Sequence, residues 1–210
     1  MWYIFRHGET LYNKNRITQG YVNDSFLTLN GVIQAHMNGV KLKQLEKNTD
    51  FHNYKFVCTP LERTYHTCQL IMESLGIIDM LPTQEELIIS RGKGTAEKKE
   101  SKEHKVIKYE NVWNYEENNG ETYKESYTRL AKFIEKYKNE RNLIIVAHKG
   151  VNRNLMYLLK KSKEIDNLST WISDLTDEEG NNLIYDLKCE VPAFNQNYFY
   201  SWDGNNFTQY

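Results

Sequence analysis

An arginine and a histidine follow the first apolar run of the chain. The run Trp2 to Phe5 has the composition of a buried strand, and Arg6, His7 and Gly8 come directly after it. In open α/β folds, the turns at the carboxyl ends of parallel strands bind ligands. A neutral imidazole can act as a nucleophile near neutral pH, and a guanidinium binds phosphate oxygens through paired hydrogen bonds. The pair is therefore suited to capturing a phosphoryl group.

Two later apolar runs are followed by charged residues in the same way. Arg63 comes shortly after the run Lys55 to Cys58, and His148 directly follows the run Leu143 to Ala147. If both runs form parallel strands beside the first, their carboxyl ends meet at one edge of the sheet. The sequence therefore predicts that two histidines and two arginines surround one point.

The loop after the first strand supplies further candidate ligands. Asn13, Arg16, Gln19 and Gly20 offer amide and cationic donors, and we expect them to bind the substrate. Lys149 is a fifth candidate with two open interpretations. Its ammonium contacts a phosphate of a highly charged substrate, or it points to solvent.

The elements that must position these residues alternate along the chain. Strands are predicted at Trp2 to Phe5, Lys55 to Cys58, Leu87 to Ile89, Leu143 to Ala147 and within the aromatic tail from Tyr198 to Trp202. Helices are predicted from Thr28 or Asn30 to about Glu46, from Thr59-Pro60 to Gly76, and from Glu121 toward the strand at Leu143. This order predicts an α/β fold, a three-layer α/β/α sandwich with a mainly parallel central sheet, formed by a single domain over residues 1–210.

The segment from Ser90 to Asn119 has a different character. Gly92 and Gly94 lie near its start, and a run of mixed charge from Glu97 to Lys105 follows. A solvated helix face is the favoured interpretation, and a mobile lid is the alternative.

Composition and charge argue against several functional classes. The 210 residues include 27 Lys and Arg against 28 Asp and Glu, which leaves no excess of positive charge for nucleic acid or for an acidic membrane. The cysteines Cys58, Cys68 and Cys189 fit neither a disulfide framework nor a CxxC metal site. The first apolar run meets Arg6 too early for a signal peptide, and the longest aliphatic run is too short to span a membrane. We therefore expect a reduced cytoplasmic protein.

Five groups of residues occur in a fixed order over most of the chain. They are Arg6-His7-Gly8-Glu9-Thr10 with Asn13 and Arg16, Leu27-Thr28 with Gly31, Gln34 and Ala35, Thr59-Pro60-Leu61 with Arg63, Thr64 and Thr67, Gly120-Glu121-Thr122 with Arg129, and His148-Lys149-Gly150. This ordered set resembles the histidine phosphatase superfamily, in the branch of the cofactor-dependent phosphoglycerate mutases and related small phosphatases. The resemblance implies the phosphoglycerate mutase-like version of the predicted fold.

The resemblance also implies a role for each matching residue. His7 takes up the phosphoryl group as a phosphohistidine, which water then hydrolyses. Arg6, Arg63 and His148 hold the equatorial phosphate oxygens, with Asn13 as an additional donor. The family uses no metal ion, so neither a metal nor another cofactor is expected.

Two positions depart from the family pattern: Lys149 stands where the family usually has glycine after the second histidine, and Ser90 stands where it has an acid. A glutamate that protonates the leaving oxygen is expected near the third strand, and Ser90 occupies the aligned position. Losing a general acid costs about 10²- to 10⁴-fold in rate, and a serine cannot replace a carboxyl group near neutral pH. Glu86 is the nearest substitute and is included among the catalytic candidates. The alternatives are Glu85, Glu97 and Glu121.

These residues predict a metal-independent phosphatase acting on a small phosphorylated metabolite. Phosphoglycerate mutase-type phosphoryl transfer is the enzymatic alternative. A phospho-ligand binding protein with impaired catalysis is the alternative from another class, because Ser90 replaces the expected acid. The expected partner is the phosphorylated substrate, with no nucleic acid and no membrane, and the sequence carries no signal for or against an oligomer.

Overall fold

The central sheet is mainly parallel, as the sequence predicts. The computed structural model describes residues 1–101, 112–190 and 194–210. The strands are β1 (Trp2–Arg6), β2 (Lys55–Cys58), β3 (Thr83–Gln84), β4 (Leu143–Ala147), β5 (Tyr200–Trp202) and β6 (Phe207–Gln209). They lie in the order β3-β2-β4-β1-β5-β6. Strands β1 to β4 are parallel, and β5 and β6 are antiparallel additions beside β1.

Helices cover both faces of this sheet. The α-helices are α1 (Leu11–Lys14), α2 (Leu29–Leu45), α3 (Glu62–Leu75), α4 (Tyr123–Tyr137), α5 (Lys149–Lys161), α6 (Leu168–Asp174) and α7 (Asp177–Glu190). Residues of α2 and α3 pack against one face, and residues of α4 to α7 pack against the other. This arrangement confirms the predicted three-layer α/β/α sandwich. Within the described residues, no helix combines the length and the hydrophobicity needed to cross a membrane.

The central strands are apolar at nearly every position because both of their faces are covered. In β1, Trp2 and Ile4 join the core beside α4 and α5, whereas Tyr3 and Phe5 join the core beside α2 and α3. Side chains alternate between the two faces of a strand, so a strand covered on both sides has few positions for polar residues. The unbroken apolar runs of the sequence therefore mark the centre of the sheet.

The predicted helix ends agree with the structure to within about two residues. Oγ1 of Thr28 caps α2 by accepting a hydrogen bond from Gly31 N at 3.0 Å. Thr122 and Glu125 form a capping box at the start of α4. Gly76 ends α3 with a φ of 91°, a conformation that a residue without Cβ adopts without steric cost. Local sequence signals thus fix the ends of the helices beside the sheet.

The strand predicted at Leu87 to Ile89 is wrong. This segment lies in a 3₁₀ helix, Glu86–Ile88, and β3 lies earlier in the chain. Glu85 caps the 3₁₀ helix, because its Oε1 accepts a hydrogen bond from Leu87 N at 3.2 Å. Ile88 is fully buried in the core beside α4. The apolar run therefore serves packing and not strand pairing.

The helix predicted for the charged run after Ser90 is wrong in the part of the run that the structure describes. Glu97 ends a short 3₁₀ helix, Gly94–Ala96. Lys98 has a φ of 66° and pairs with Asp24 at 2.6 Å. The rest of the run falls among residues 102–111, which lie outside the described residues.

The topology brings three strand ends to one edge of the sheet. Strand β4 lies between β2 and β1. In the register of the sheet, Ala147 is paired with Arg6, and Val146 is paired with Cys58. The residues that follow these three strands therefore emerge side by side.

Candidate active site

Two histidine rings meet at the edge where β1 and β4 end. The backbone N–H of His7 donates to Ala147 O at 3.0 Å, which extends the pairing of β1 with β4 by one residue. His148 is the N-cap residue of α5. The ring centroids lie 5.3 Å apart with an interplanar angle of 61°. The two residues are only 4% and 5% exposed, so the predicted histidine pair forms in a buried position.

A backbone carbonyl fixes the tautomer of the His7 ring. Nδ1 lies 2.8 Å from the carbonyl oxygen of Gly8. A carbonyl oxygen only accepts hydrogen bonds, so Nδ1 carries the hydrogen and donates it. In the neutral ring, Nε2 is then free of a proton and holds the lone pair that a nucleophile needs.

The turn that carries His7 is packed too closely for a side chain at position 8. A Cβ on Gly8 would lie 2.3 Å from Gly31 O in α2. Gly8 N donates to Thr67 Oγ1 at 3.0 Å, and this hydroxyl donates to Arg63 O at 2.7 Å. These contacts tie the turn to α2 and α3 and hold the imidazole in place.

Two guanidinium groups accompany the histidines. Arg63, in the first turn of α3, is 1% exposed, and it donates to Val22 O at 2.6 Å and to Gly20 O at 2.8 Å. The Nε atoms of Arg6 and Arg63 are buried without a hydrogen-bond partner in the described part of the chain. Burial lowers the pKa of each guanidinium to about 10, so both stay charged at neutral pH. A buried cation with donors to spare favours an anionic ligand.

The same environment keeps both imidazoles neutral. Burial lowers the pKa of His7 well below 6.5, and the charges of Arg63 and Arg6 lower it further. Burial also lowers the pKa of His148 well below 6.5, and the neighbouring basic groups of Arg63, His7, Arg129 and Arg6 lower it further. A neutral imidazole has the lone pair that a protonated one lacks. The site therefore combines two neutral imidazoles with fixed positive charge.

The two buried histidines make stability depend on pH. A histidine in the unfolded chain titrates near pH 6.5, whereas the pKa values of His7 and His148 in the folded protein lie well below that value. Between the two values the unfolded chain binds more protons than the folded protein. The free energy of unfolding is therefore expected to fall as the pH falls below about 6.5, by about 1.4 kcal/mol per pH unit for each histidine.

Urea unfolding between about pH 7 and pH 5.5 measures this dependence. The double variant His7→Gln/His148→Gln is expected to lose most of the slope that the wild type shows. His66→Gln removes an exposed histidine of α3 and serves as the matched control, with the wild-type slope expected. Equal slopes for the wild type and the double variant would contradict the assignment of these two histidines.

Comparison with known families identifies the family of the chain. A sequence model described as the histidine phosphatase superfamily (branch 1) matches residues 2–177, which include all three strand ends and both histidines. The chain belongs to the histidine phosphatase superfamily. No curated protein sequence matches it significantly.

Solved structures share the fold of this histidine phosphatase superfamily member. A putative alpha-ribazole-5'-P phosphatase from Escherichia coli is 20% identical, with a TM-score of 0.66 covering 100% of this chain and 93% of that chain. The alpha-ribazole phosphatase from Shigella flexneri is 20% identical, with a TM-score of 0.66 covering 95% and 88%. Mycobacterial glucosyl-3-phosphoglycerate phosphatase is 15% identical, with a TM-score of 0.66 covering 99% and 96%.

Two of the candidate proton donors of this superfamily member lie near β3. Glu86 begins the 3₁₀ helix after β3, and its exposed carboxylate has no hydrogen bond or ion pair within the described residues. Glu85 is buried and accepts hydrogen bonds from Lys136 Nζ at 2.5 Å and Tyr137 OH at 3.1 Å, which engages it with α4. The catalytic role of Glu86 stays a prediction.

Glu97 lies close to the loop that Arg63 holds. Its Oε1 accepts hydrogen bonds from Tyr21 N at 3.0 Å and from Lys93 N at 2.8 Å. Its charge partly offsets the lowering of the pKa of Arg63 by burial. Glu97 is therefore within electrostatic reach of the guanidinium cluster.

Glu121 is connected to the site indirectly, through an ion pair with Arg129. Its carboxylate accepts from Arg129 Nε at 2.5 Å and from Arg129 Nη2 at 2.8 Å. The charge of Arg129 in turn contributes to the low pKa of His148. Arg129 is not among the predicted site residues, although its place in the ordered motif set is a signal for a role.

The loop residues predicted to bind substrate differ in their surroundings. Asn13 Oδ1 accepts from Thr10 N at 3.2 Å within the capping box of α1. Gly20 directs its carbonyl, an acceptor, toward Arg63. Gln19 Oε1 is buried with no hydrogen-bond partner among the residues that the structure describes. Binding roles for these residues stay predictions.

The two remaining predicted ligands are exposed. Arg16 has a φ of 56°, and its carbonyl accepts from Ser101 N at 2.8 Å. Lys149 is the first residue of α5. A substrate contact by either side chain stays a prediction.

A threonine hydroxyl contacts the second histidine. Thr59 Oγ1, just after β2, lies 3.3 Å from Nε2 of His148 and 2.5 Å from Thr64 Oγ1. The position of Thr59 in the Thr59-Pro60 turn, directly after β2, is a sequence signal for this contact with His148. Over the described ranges, no group of three His, Cys, Asp or Glu side chains is arranged to hold a metal ion.

Proposed function

We propose that this protein hydrolyses a small phosphorylated metabolite through a phosphohistidine on His7, without a metal ion. One observation carries the proposal: a buried neutral imidazole presents a proton-free Nε2 beside the guanidinium groups of Arg6 and Arg63. Positioning and charge stabilisation supply most of the catalysis in phosphoryl transfer. These residues offer both.

The reaction then proceeds in two displacements at phosphorus. Nε2 of His7 attacks phosphorus while the bond to the leaving oxygen breaks, and the bonding electron pair departs with that oxygen. Arg6 and Arg63 stabilise the charge on the phosphoryl oxygens, with His148 beside them as a further contact. Water next attacks the phosphohistidine and gives a proton to the carboxylate that protonated the leaving oxygen, the N–P bond breaks, inorganic phosphate leaves, and Nε2 regains its lone pair.

The leaving oxygen needs a proton from an acid. Glu86 is the candidate from sequence, and Glu97 and Glu121 are the candidates with electrostatic links to the site. Loss of the acid is expected to slow esters of poorly acidic alcohols about 10²- to 10⁴-fold. It should spare p-nitrophenyl phosphate, whose leaving group departs without a proton.

The similar structures support hydrolysis as the reaction. They are named as phosphatases of alpha-ribazole-5'-P and of glucosyl-3-phosphoglycerate, both phosphate esters of small molecules. The names of these structures support phosphate-ester hydrolysis as the class of reaction. At identities of 20% and 15%, they do not identify the substrate of this protein. Mutase-type transfer has no separate support in the described site.

The test is phosphate release from a panel of sugar phosphates, phosphoglycerates and p-nitrophenyl phosphate in the presence of a chelator. Turnover that survives the chelator is expected. Turnover that the chelator abolishes and a divalent metal restores would overturn the metal-free part of the proposal. The same panel applied to Glu86→Gln, Glu97→Gln and Glu121→Gln identifies the acid.

A silent panel would favour the phospho-ligand binding protein. That alternative is based on Ser90, which occupies the position of the expected acid. In addition, no carboxylate of the described residues forms a hydrogen bond with His7 or His148. Equilibrium binding of the same esters without turnover, including p-nitrophenyl phosphate, would establish it.

A further inference from the structure

Two threonine hydroxyls connect His148 to the start of α3. Thr59 directly follows β2, and Thr64 lies in the first turn of α3. Both threonines are fully buried. Thr59 Oγ1 lies 2.5 Å from Thr64 Oγ1 and 3.3 Å from Nε2 of His148. The three side chains therefore form a continuous row of polar contacts that ends at the site.

Two carbonyl groups set the direction of the hydrogen bond between the threonines. Thr64 Oγ1 lies 2.7 Å from Leu61 O and 3.0 Å from Thr59 O. A carbonyl oxygen only accepts, and a hydroxyl has a single hydrogen, so Thr64 uses its hydrogen on these carbonyls. A threonine in a helix commonly bonds the carbonyl three or four residues back in this way. In its contact with Thr59, the Thr64 oxygen is then the acceptor.

The hydrogen of the Thr59 hydroxyl is therefore donated to Thr64. Thr59 Oγ1 keeps two lone pairs, and one of them accepts from Leu61 N at 3.4 Å. The other is the acceptor in the contact with Nε2 of His148, which requires this ring nitrogen to donate. Nε2 of His148 thus carries the hydrogen. The ring of His7, which carries its hydrogen on Nδ1, is the opposite tautomer.

Opposite tautomers suit the different tasks of the two rings. His7 needs a proton-free Nε2 to attack phosphorus, whereas His148 needs an N–H to stabilise a phosphoryl oxygen. Burial holds the pKa of His148 well below 6.5, so the ring is neutral and the position of its one hydrogen matters. The 3.3 Å bond from Nε2 to Thr59 is longer than usual, so an anionic oxygen is the better acceptor for this N–H.

We propose that Thr64 is a positioning residue that, through Thr59, keeps the hydrogen of His148 on Nε2. The catalytic consequence rests on the proposed function, whereas the tautomer does not. Thr64→Val removes the acceptor of the Thr59 hydroxyl, which then donates to Nε2 of His148. Nε2 loses its hydrogen to solvent, Nδ1 takes one up, and Nε2 no longer donates to a phosphoryl oxygen.

Nitrogen-15 NMR of the imidazole rings at neutral pH measures the tautomers, because protonated and proton-free ring nitrogens have different chemical shifts. The wild type is expected to carry the hydrogen on Nε2 of His148 and on Nδ1 of His7. Thr64→Val should move the hydrogen of His148 toward Nδ1 and leave His7 unchanged, and Thr64→Ser, which keeps the hydroxyl, should restore the wild-type signals. A hydrogen on Nδ1 of His148 in the wild type, or an unchanged His148 in Thr64→Val, would overturn the proposal.

Turnover of p-nitrophenyl phosphate tests the catalytic consequence, because its leaving group departs without a proton. Thr64→Val is expected to lower kcat/KM about tenfold, the effect of losing one hydrogen bond to the transition state. Thr64→Ser should keep wild-type turnover. The matched control is Thr128→Val, which removes a hydroxyl of α4 that donates to Lys124 O at 2.8 Å, and it should also keep wild-type turnover.

Failure of this inference can be told apart from failure of the proposed function. Wild-type turnover by Thr64→Val with a changed His148 tautomer would overturn the positioning role and leave the phosphatase intact. If no ester is turned over, the proposed function fails, and the tautomers of the wild type and of Thr64→Val decide the inference. If Thr64→Val does not fold, Thr59→Val replaces it, because it removes the acceptor of the Nε2 hydrogen and should yield mixed tautomers of His148.

Discussion

His7→Ala is expected to lower kcat/KM for phosphate release by about 10⁴-fold or more. The substitution removes the only nitrogen placed to take up the phosphoryl group in the proposed reaction. The measurement is phosphate release under saturating and limiting substrate. It is combined with rapid acid-free quenching and intact-mass detection of a phosphoryl group on the wild-type enzyme, which the variant should never carry.

The matched control is His52→Ala. His52 is half exposed and forms its ion pairs with Asp50 and Asp79, away from the strand ends that form the site. This variant should keep wild-type turnover. Turnover by His7→Ala within tenfold of the wild type, with the protein folded by circular dichroism, would remove His7 from the role of nucleophile.

Arg63→Ala is expected to lower kcat/KM by about 10²- to 10³-fold, the usual effect of removing a donor that stabilises developing charge. It should also lower the free energy of unfolding by about 1–3 kcal/mol, because the carbonyls of Gly20 and Val22 lose their buried donor. Steady-state kinetics and urea unfolding measure the two effects.

Arg63→Lys separates charge from geometry. A lysine keeps the positive charge but lacks the planar fork that reaches two carbonyls and an anion together. An intermediate loss of activity is therefore expected. Arg141→Ala, at an exposed arginine beside β4, is the control for both measurements. Full activity in Arg63→Ala would show that this guanidinium serves only the loop.

The central cluster could be predicted because each member follows an apolar run. Arg6, His7, Arg63 and His148 owe their proximity to parallel strands, whose carboxyl ends share one edge. The tautomer of His7 and the two carbonyls bound by Arg63 could not be predicted. Both depend on the course of the backbone in three dimensions, which no periodicity records.

The secondary structure of one short apolar run could not be predicted from the sequence. Leu87 to Ile89 suits a strand or a 3₁₀ helix equally well, and the cap from Glu85 together with burial of Ile88 decides between them.

Strand β1, which His7 directly follows, pairs with segments that lie far from it in the sequence. Trp2 pairs with Leu143 on one side and with Trp202 on the other. Pairings between such distant segments form slowly, because the entropy of closing a long loop is lost before any stabilising contact forms. His7 therefore meets His148 only once β4 lies between β2 and β1, so the histidine pair forms with completion of the sheet.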